Sequence, residues 1–262
     1  MLGVQSSTSQ IGTLVGYLVI VAAFSLTAGG AGVYNAFFIA AAVLTGVSAV
    51  FSLRIKGSST TDETKRRFYF HKKYTKYYML EMFYGARKQV FITFGPYVLI
   101  LFYGAKTEVI SLLFALCALI GFFLAPLVGK LIDKIGYKKI MVADTLILVI
   151  VCACYGFAHH ILPKNIAFIV CCANYILDAI ISMASMATNV YVQDLAENRD
   201  EVKATLSTGV SINHVVSILI ALFGGWIWQA LGIEMLFIIS AVLGLCNSAY
   251  AATIKVKNKK NA

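Results

Sequence analysis

Apolar runs about twenty residues long recur along this chain, and they constrain its fold more than any motif in it. A helix needs ~20 apolar residues to cross the ~30 Å hydrocarbon core of a bilayer. Inside that core only helices or closed barrels satisfy their own backbone. A barrel would show ~10-residue segments of alternating polarity, whereas these runs are continuous and the chain holds only three prolines. Eight runs can be read: 10–29, 33–53, 77–103, 106–128, 140–160, 165–193, 206–230 and 233–254. Composition agrees. The chain is 60% hydrophobic and 13% charged, against about 45–50% and 25% in soluble domains, and its mean hydropathy is +0.81. The expected fold is an all-α integral membrane protein with eight transmembrane helices. No cleavable signal peptide is expected, because the first run lacks a basic start and a small-residue cleavage site.

The net charge of +10 would suggest nucleic acid in a soluble chain. Its distribution gives topology instead. Eight of the 22 Lys and Arg lie in 54–76, four in 129–139, two in 194–204 and four in the tail after 254, so eighteen share one face of an eight-span chain. By the positive-inside rule that face is the cytoplasm. Both termini are then expected there, in the cytoplasmic membrane, with the bilayer and no nucleic acid as partner. The six cysteines, Cys117, Cys152, Cys154, Cys171, Cys172 and Cys246, all lie within runs and read as small apolar packers. No Ser/His/Asp or Cys/His array, phosphate-binding glycine loop or HExxH is present, so neither an enzyme nor a cofactor is expected. His159-His160 has no third ligand near it in sequence, and no metal site is expected.

Ionisable groups inside a span are costly and mark function by default. Arg87 and Lys88 lie ~15 Å into the third run at 1.5 Å per residue, with Tyr84 and Glu81 one and two turns before them. They either line a cavity near the midplane or snorkel to the interface. In the sixth run Asn174, Asp178, Ser182, Ser185 and Asn189 follow spacings of 4, 4, 3 and 4, which places them on one helical face. Asp178 could answer Arg87 as a structural ion pair, bind a charged solute or exchange a proton. In the seventh run His214 shares a face with Ser207 and Ser211, with Asn213 beside it. It is a candidate proton shuttle or a hydrogen-bonding group. Asp144, early in the fifth run, is expected to support the charged turn before it.

That turn, Gly129-Lys-Leu-Ile-Asp133-Lys134-Ile-Gly136-Tyr-Lys138-Lys139, resembles the signature loop of the major facilitator superfamily at every specified position. The resemblance implies a transporter of two six-helix halves joined by a long cytoplasmic loop. Residues 54–76 then correspond to that loop, and 77–254 to the C-terminal six-helix half. Residues 1–53 correspond to the last two helices of the N-terminal half, and 255–262 form a basic tail. The expected bundle resembles helices five to twelve and lacks the first four. Phe38–Leu44 resembles Phe237–Leu243, a weak internal repeat of the kind such halves show. The resemblance also implies a gate role for Gly129, Asp133, Lys134, Gly136, Lys138 and Lys139, with Asp133 facing the helix start at Ser6–Gly12. Arg87, Lys88, Asn174, Asp178, Ser182 and His214 are the substrate- or proton-binding candidates. Gly3, Gly12 and Gly16 fit part of the glycine motif of drug/proton antiporters. Tyr17 stands where that motif has proline and Ile20-Val21 where it has a glycine pair, so drug efflux does not follow. The expected activity is secondary transport of a small solute by alternating access, with an anion or zwitterion favoured and a proton as possible coupling ion. The alternative is a truncated, non-transporting scaffold or assembly subunit.

Overall fold

The computed structural model describes residues 2–27, 31–54 and 69–254, the side chains of 2–10 and of Ser52 excepted. Most of the 54–76 linker, the tail and the side chains of Ser6–Gln10 therefore lie outside the described residues. The chain is all-helical, with no strand among the described residues. The helices are α1 (Leu2–Thr27), α2 (Ala31–Arg54), α3 (Thr75–Tyr103), α4 (Thr107–Ile135), α5 (Tyr137–Ile161), α6 (Lys164–Ser182), α7 (Met186–Leu195), α8 (Arg199–Leu231) and α9 (Ile233–Ala252). The 3-10 turns Lys72–Tyr74 and Met183–Ser185 precede α3 and separate α6 from α7.

Among the described residues, six stretches are long and apolar enough to cross a bilayer: α2, α4, α5, α6 with α7, α8 and α9. The apolar part of α1 is shorter, Ile11–Thr27. The 29-residue α3 is long enough, but it carries Lys76, Glu81, Arg87 and Lys88. Its position explains how it tolerates them. It packs against α6, α8 and α9 inside the bundle, and Glu81 and Arg87 are buried in protein rather than in lipid.

The charged turn is more helical than its glycines suggest. The predicted boundaries at 128 and 140 give way to helix through Ile135 and again from Tyr137, so only Gly136 breaks the chain. Gly136 adopts φ 93° and ψ 143°, a conformation that a Cβ makes costly. Gly129 is helical with nothing within 4 Å of where a Cβ would stand, and the same holds for Gly12 and Gly16. These three glycines hold no close helix approach among the described residues. Close approach occurs instead between α3 and α8. A Cβ on Gly85 would stand 2.8 Å from the Asn213 backbone oxygen, and one on Gly209 would overlap the Tyr77 ring.

Two apolar cores fill the bundle. One centres on the rings of Phe91, Tyr155 and Phe237, whose centroids lie 5.1–5.5 Å apart in edge-on and tilted pairs. The other gathers Tyr74, Tyr77, Tyr137 and Tyr191 with Met141 and Ile254. Phe38 and Phe237, equivalent in the weak repeat, differ sharply: Phe38 is 73% exposed and Phe237 fully buried. All six cysteines are free thiols, two of them fully inside.

Candidate functional site

The sixth run is one span by hydropathy but two helices in the fold. At Met183–Ser185 the α-helix tightens into a 3-10 turn, which leaves carbonyls without their usual i+4 donors. Neighbouring hydroxyls take them up. Tyr84 Oη donates to Ser182 O at 3.1 Å, and Thr188 Oγ1 lies 2.8 Å from Ser185 O. The same Thr188 oxygen is 2.9 Å from Glu81 Oε1, and Asn213 Nδ2 donates to Glu81 Oε2 at 3.2 Å. Glu81 thereby ties α3 to α7 and α8 beside the break.

The break lines a cavity of about 560 Å³ between α1, α3, α4 and α6. Its wall is formed by Thr13 and Tyr17 of α1, Tyr84 and Lys88 of α3, Phe114 and Cys117 of α4, and Tyr175, Ala179 and Ser182 of α6, with Ser185 from the turn. The rings form a connected shelf. Tyr17 meets Phe114 at 5.2 Å and Phe114 stacks on Tyr175 at 5.5 Å. Lys88 is the one charged residue in the wall among the described residues, its Nζ 5.9 Å from the Tyr84 ring centroid. The cavity thus sets an ammonium beside aromatic faces and small hydroxyls.

Behind this wall lies a buried charge cluster. Arg87 Nη2 is 3.0 Å from Asp144 Oδ2, with side chains 2% and 8% exposed. The distance is that of an ion pair, but neither terminal nitrogen of Arg87 meets hydrogen-bond geometry. The contact is therefore a close charge pair rather than an aligned fork. The guanidinium also lies over the Tyr84 ring at 5.2 Å, and its field reaches Asp178 on α6. Asp144 takes a further contact from Thr145 Oγ1 at 3.2 Å. One buried cation thus holds one buried carboxylate at ion-pair distance and has a second, Asp178, within its field.

The predicted site residues separate into four places. Lys88 and Ser182 line the cavity. Arg87 and Asp178 sit just behind it. Asn174 is buried and spends its amide on Val170 O at 2.8 Å. His214 is exposed on α8, outside the cavity wall. Asp144 pairs with Arg87 and not with the charged turn, contrary to expectation. In sequence Tyr17 is visible only as a departure from the glycine motif and Tyr175 not at all as a site residue; their spacing from Phe114 is set by packing and carries no period.

A comparison with known families matches residues 1–217 to the Major Facilitator Superfamily. The chain belongs to that superfamily. No curated protein matches it. As a superfamily member it is a multi-pass membrane protein and a transporter. Its signature residues Asp133, Lys134 and Lys139 are exposed at the end of α4 and the start of α5. Lys138 Nζ donates to Ile254 O at 2.8 Å, holding the turn against the end of α9. Asp133 makes no ion pair or hydrogen bond among the described residues, and the side chains of its expected partners Ser6–Gln10 lie outside them.

Proposed function

We propose that this protein is a secondary transporter of a small anionic or zwitterionic solute, bound in the cavity at the α6–α7 break. The observation that carries the reading is Lys88, the single charge among the described residues of a wall otherwise built of tyrosines, phenylalanine, small hydroxyls and apolar groups. Its ammonium receives the anionic group. Tyr17, Phe114 and Tyr175 take the apolar body, and Ser182 and Ser185 offer orienting hydroxyls. Asp178 carries the coupling proton in this reading, since it is buried within the field of Arg87 and close behind the cavity. His214 is the second proton-coupling candidate; its support is its place on a span away from the cavity. Asp133 and the signature lysines act as a cytoplasmic gate with the start of α1. Residues 1–53 and 77–254 act as parts of two halves joined through 54–76. The lysine-rich face supports a cytoplasmic orientation of both termini.

The test is uptake into proteoliposomes of a panel of labelled carboxylates, amino acids and organic cations, with and without a pH gradient. Carboxylates or amino acids should be carried, and Lys88→Met should abolish that uptake while the protein remains folded and inserted. Asp178→Asn should remove the dependence on the gradient. Uptake of cations alone, or unchanged carboxylate uptake by Lys88→Met, would sink the assignment. A folded protein that carries no solute would favour the non-transporting scaffold.

A further inference from the structure

His159 and His160 end α5, and the fold brings Glu234 of α9 to them from 74 residues away. His160 Nε2 is 2.7 Å from Glu234 Oε1, and His159 Nε2 is 3.3 Å from the same oxygen. One ligand atom from each residue lies within 4.8 Å of the others. We propose that these three side chains form a binding site for a divalent transition-metal ion, best suited to Zn²⁺, which staples α5 to α9 at the end of the bundle opposite the signature turn.

Stereochemistry supports this. Zinc takes imidazole nitrogen at ~2.0–2.1 Å and carboxylate oxygen at ~2.0–2.2 Å in tetrahedral sites. Ligand atoms around such an ion stand about 3.3 Å apart. The His159–Glu234 separation already has that value. The His160–Glu234 separation is that of a hydrogen bond, and it opens by roughly 0.6 Å, a small rotation of an exposed imidazole, to admit the ion. Two imidazoles and one carboxylate leave the fourth position to water. This nitrogen-rich set favours zinc and its neighbours over magnesium or calcium, which prefer oxygen.

The scaffold holds two of the three ligands in place. The His159 ring lies 4.7 Å from the Phe102 ring of α3. Glu234 stands in the first turn of α9 after Gly232, whose φ is 88°. A Cβ on Gly232 would stand 2.7 Å from Glu234 Oε2, so the glycine leaves room for the carboxylate. His160 is the mobile and accessible ligand, its side chain 57% exposed, with Glu234 at 29% and His159 at 16%. An ion can therefore enter from the aqueous side. The helix ends act in opposite senses: the C-terminus of α5 favours a cation and the N-terminus of α9 opposes it. The ligand charge of Glu234 then decides the balance.

The experiment is titration of the full chain in detergent with Zn²⁺ by calorimetry, and with Co²⁺ by visible absorption. One Zn²⁺ per chain is expected, with the intense d–d bands of four-coordinate Co²⁺ and a rise in unfolding temperature. His160→Ala and Glu234→Gln should each weaken binding by at least the about 10–100-fold that loss of even an outer-shell partner costs a metal site. His214→Ala, a histidine elsewhere on the surface, should leave it unchanged. Both ligand variants are checked by thermal unfolding without metal, so that a folding defect is separated from lost ligation. No zinc uptake by the folded wild type would overturn the proposal. So would equal binding by His160→Ala and Glu234→Gln, or weak six-coordinate Co²⁺ bands.

Discussion

Arg87→Met gives the sharpest test of the buried charge cluster. Arg87 and Asp144 are nearly inaccessible and 3.0 Å apart, and Asp178 is a second buried acid within the field of the same guanidinium. Removing one partner of a buried pair leaves an uncompensated charge and costs about 3–5 kcal/mol. The two possible removals are not equivalent. Without Arg87, two buried carboxylates lose their shared cation. Without Asp144, Arg87 still faces Asp178. Arg87→Met should therefore reach the upper part of that range and Asp144→Asn the lower. At about 2–4 °C per kcal/mol for a chain of this size, a loss of about 4–5 kcal/mol should lower the unfolding midpoint of Arg87→Met by roughly 8–20 °C. Replacing both, as Arg87→Met with Asp144→Leu, should recover most of the loss, since an apolar substitute for a buried pair is often neutral or better. The incomplete hydrogen bonding of Arg87 strengthens that expectation. The assay is thermal unfolding of the reconstituted protein followed by tryptophan fluorescence, for both single variants and the double. An unchanged midpoint in Arg87→Met, or a larger loss in Asp144→Asn, would refute the reasoning.

Gly85→Ala should destabilise by about 1–3 kcal/mol through overpacking, because its Cβ would stand 2.8 Å from the backbone oxygen of Asn213, which cannot rotate away; unfolding midpoints measure it. Tyr84→Phe removes the donor to Ser182 O and should cost about 0.5–1.5 kcal/mol, with faster hydrogen exchange at the α6–α7 break as the local readout. The two glycines of the signature turn should respond with opposite signs. Gly136→Ala forces a Cβ into φ 93° and should cost about 1–3 kcal/mol, whereas Gly129→Ala, helical and open on all sides, should gain about 0.5–1 kcal/mol. Midpoints that move in the same direction would contradict the local geometry.

Which parts of this molecule were legible in sequence follows from what each signal encodes. Hydropathy reports transfer to an apolar medium, so it gave the membrane class and the positions of the apolar helices. It could not reveal the break at Met183–Ser185, which contains neither proline nor glycine and whose carbonyls are taken up by the hydroxyls of Tyr84 and Thr188. Helical period placed Asp178 and Ser182 on one face, and they do approach one region. Period says nothing about which helix lies opposite, and nearness in sequence pointed Asp144 to the charged turn, whereas the fold turns it towards Arg87. The His159-His160 pair has no third acid or histidine near it in sequence, so no metal site is expected there; Glu234 reaches the pair from the next helix but three. The signature turn is legible by residue identity, which treats its two glycines alike. Only the backbone angles distinguish Gly136, which needs to be glycine, from Gly129, which does not.

The same distribution of contacts bears on how the proposed cycle could run. α1 packs along α4 through apolar groups, the Tyr17–Phe114 ring pair and, at the start of α2, the Tyr34–Thr107 hydrogen bond of 2.8 Å. No ion pair joins α1 or α2 to α4 among the described residues. Within α3 to α9 the contacts are of another kind: the Arg87–Asp144 pair, the Glu81 network and the interlocked Gly85–Asn213 surface. Opening a buried ion pair costs about 3–5 kcal/mol, while the Tyr34–Thr107 hydrogen bond contributes only about 0.5–1.5 kcal/mol and apolar faces can slide at little cost in lipid. A movement that opens the cavity will follow the weaker seam. The cavity lies on that seam, with Thr13 and Tyr17 on one side and Lys88, Phe114 and Ser182 on the other. Displacement of α1 therefore changes the shape of the cavity while every buried charge keeps its partner. The Tyr17 ring then belongs to the displaced side, while Phe114, Tyr175 and Lys88, the group that would hold the solute, stand together on the other.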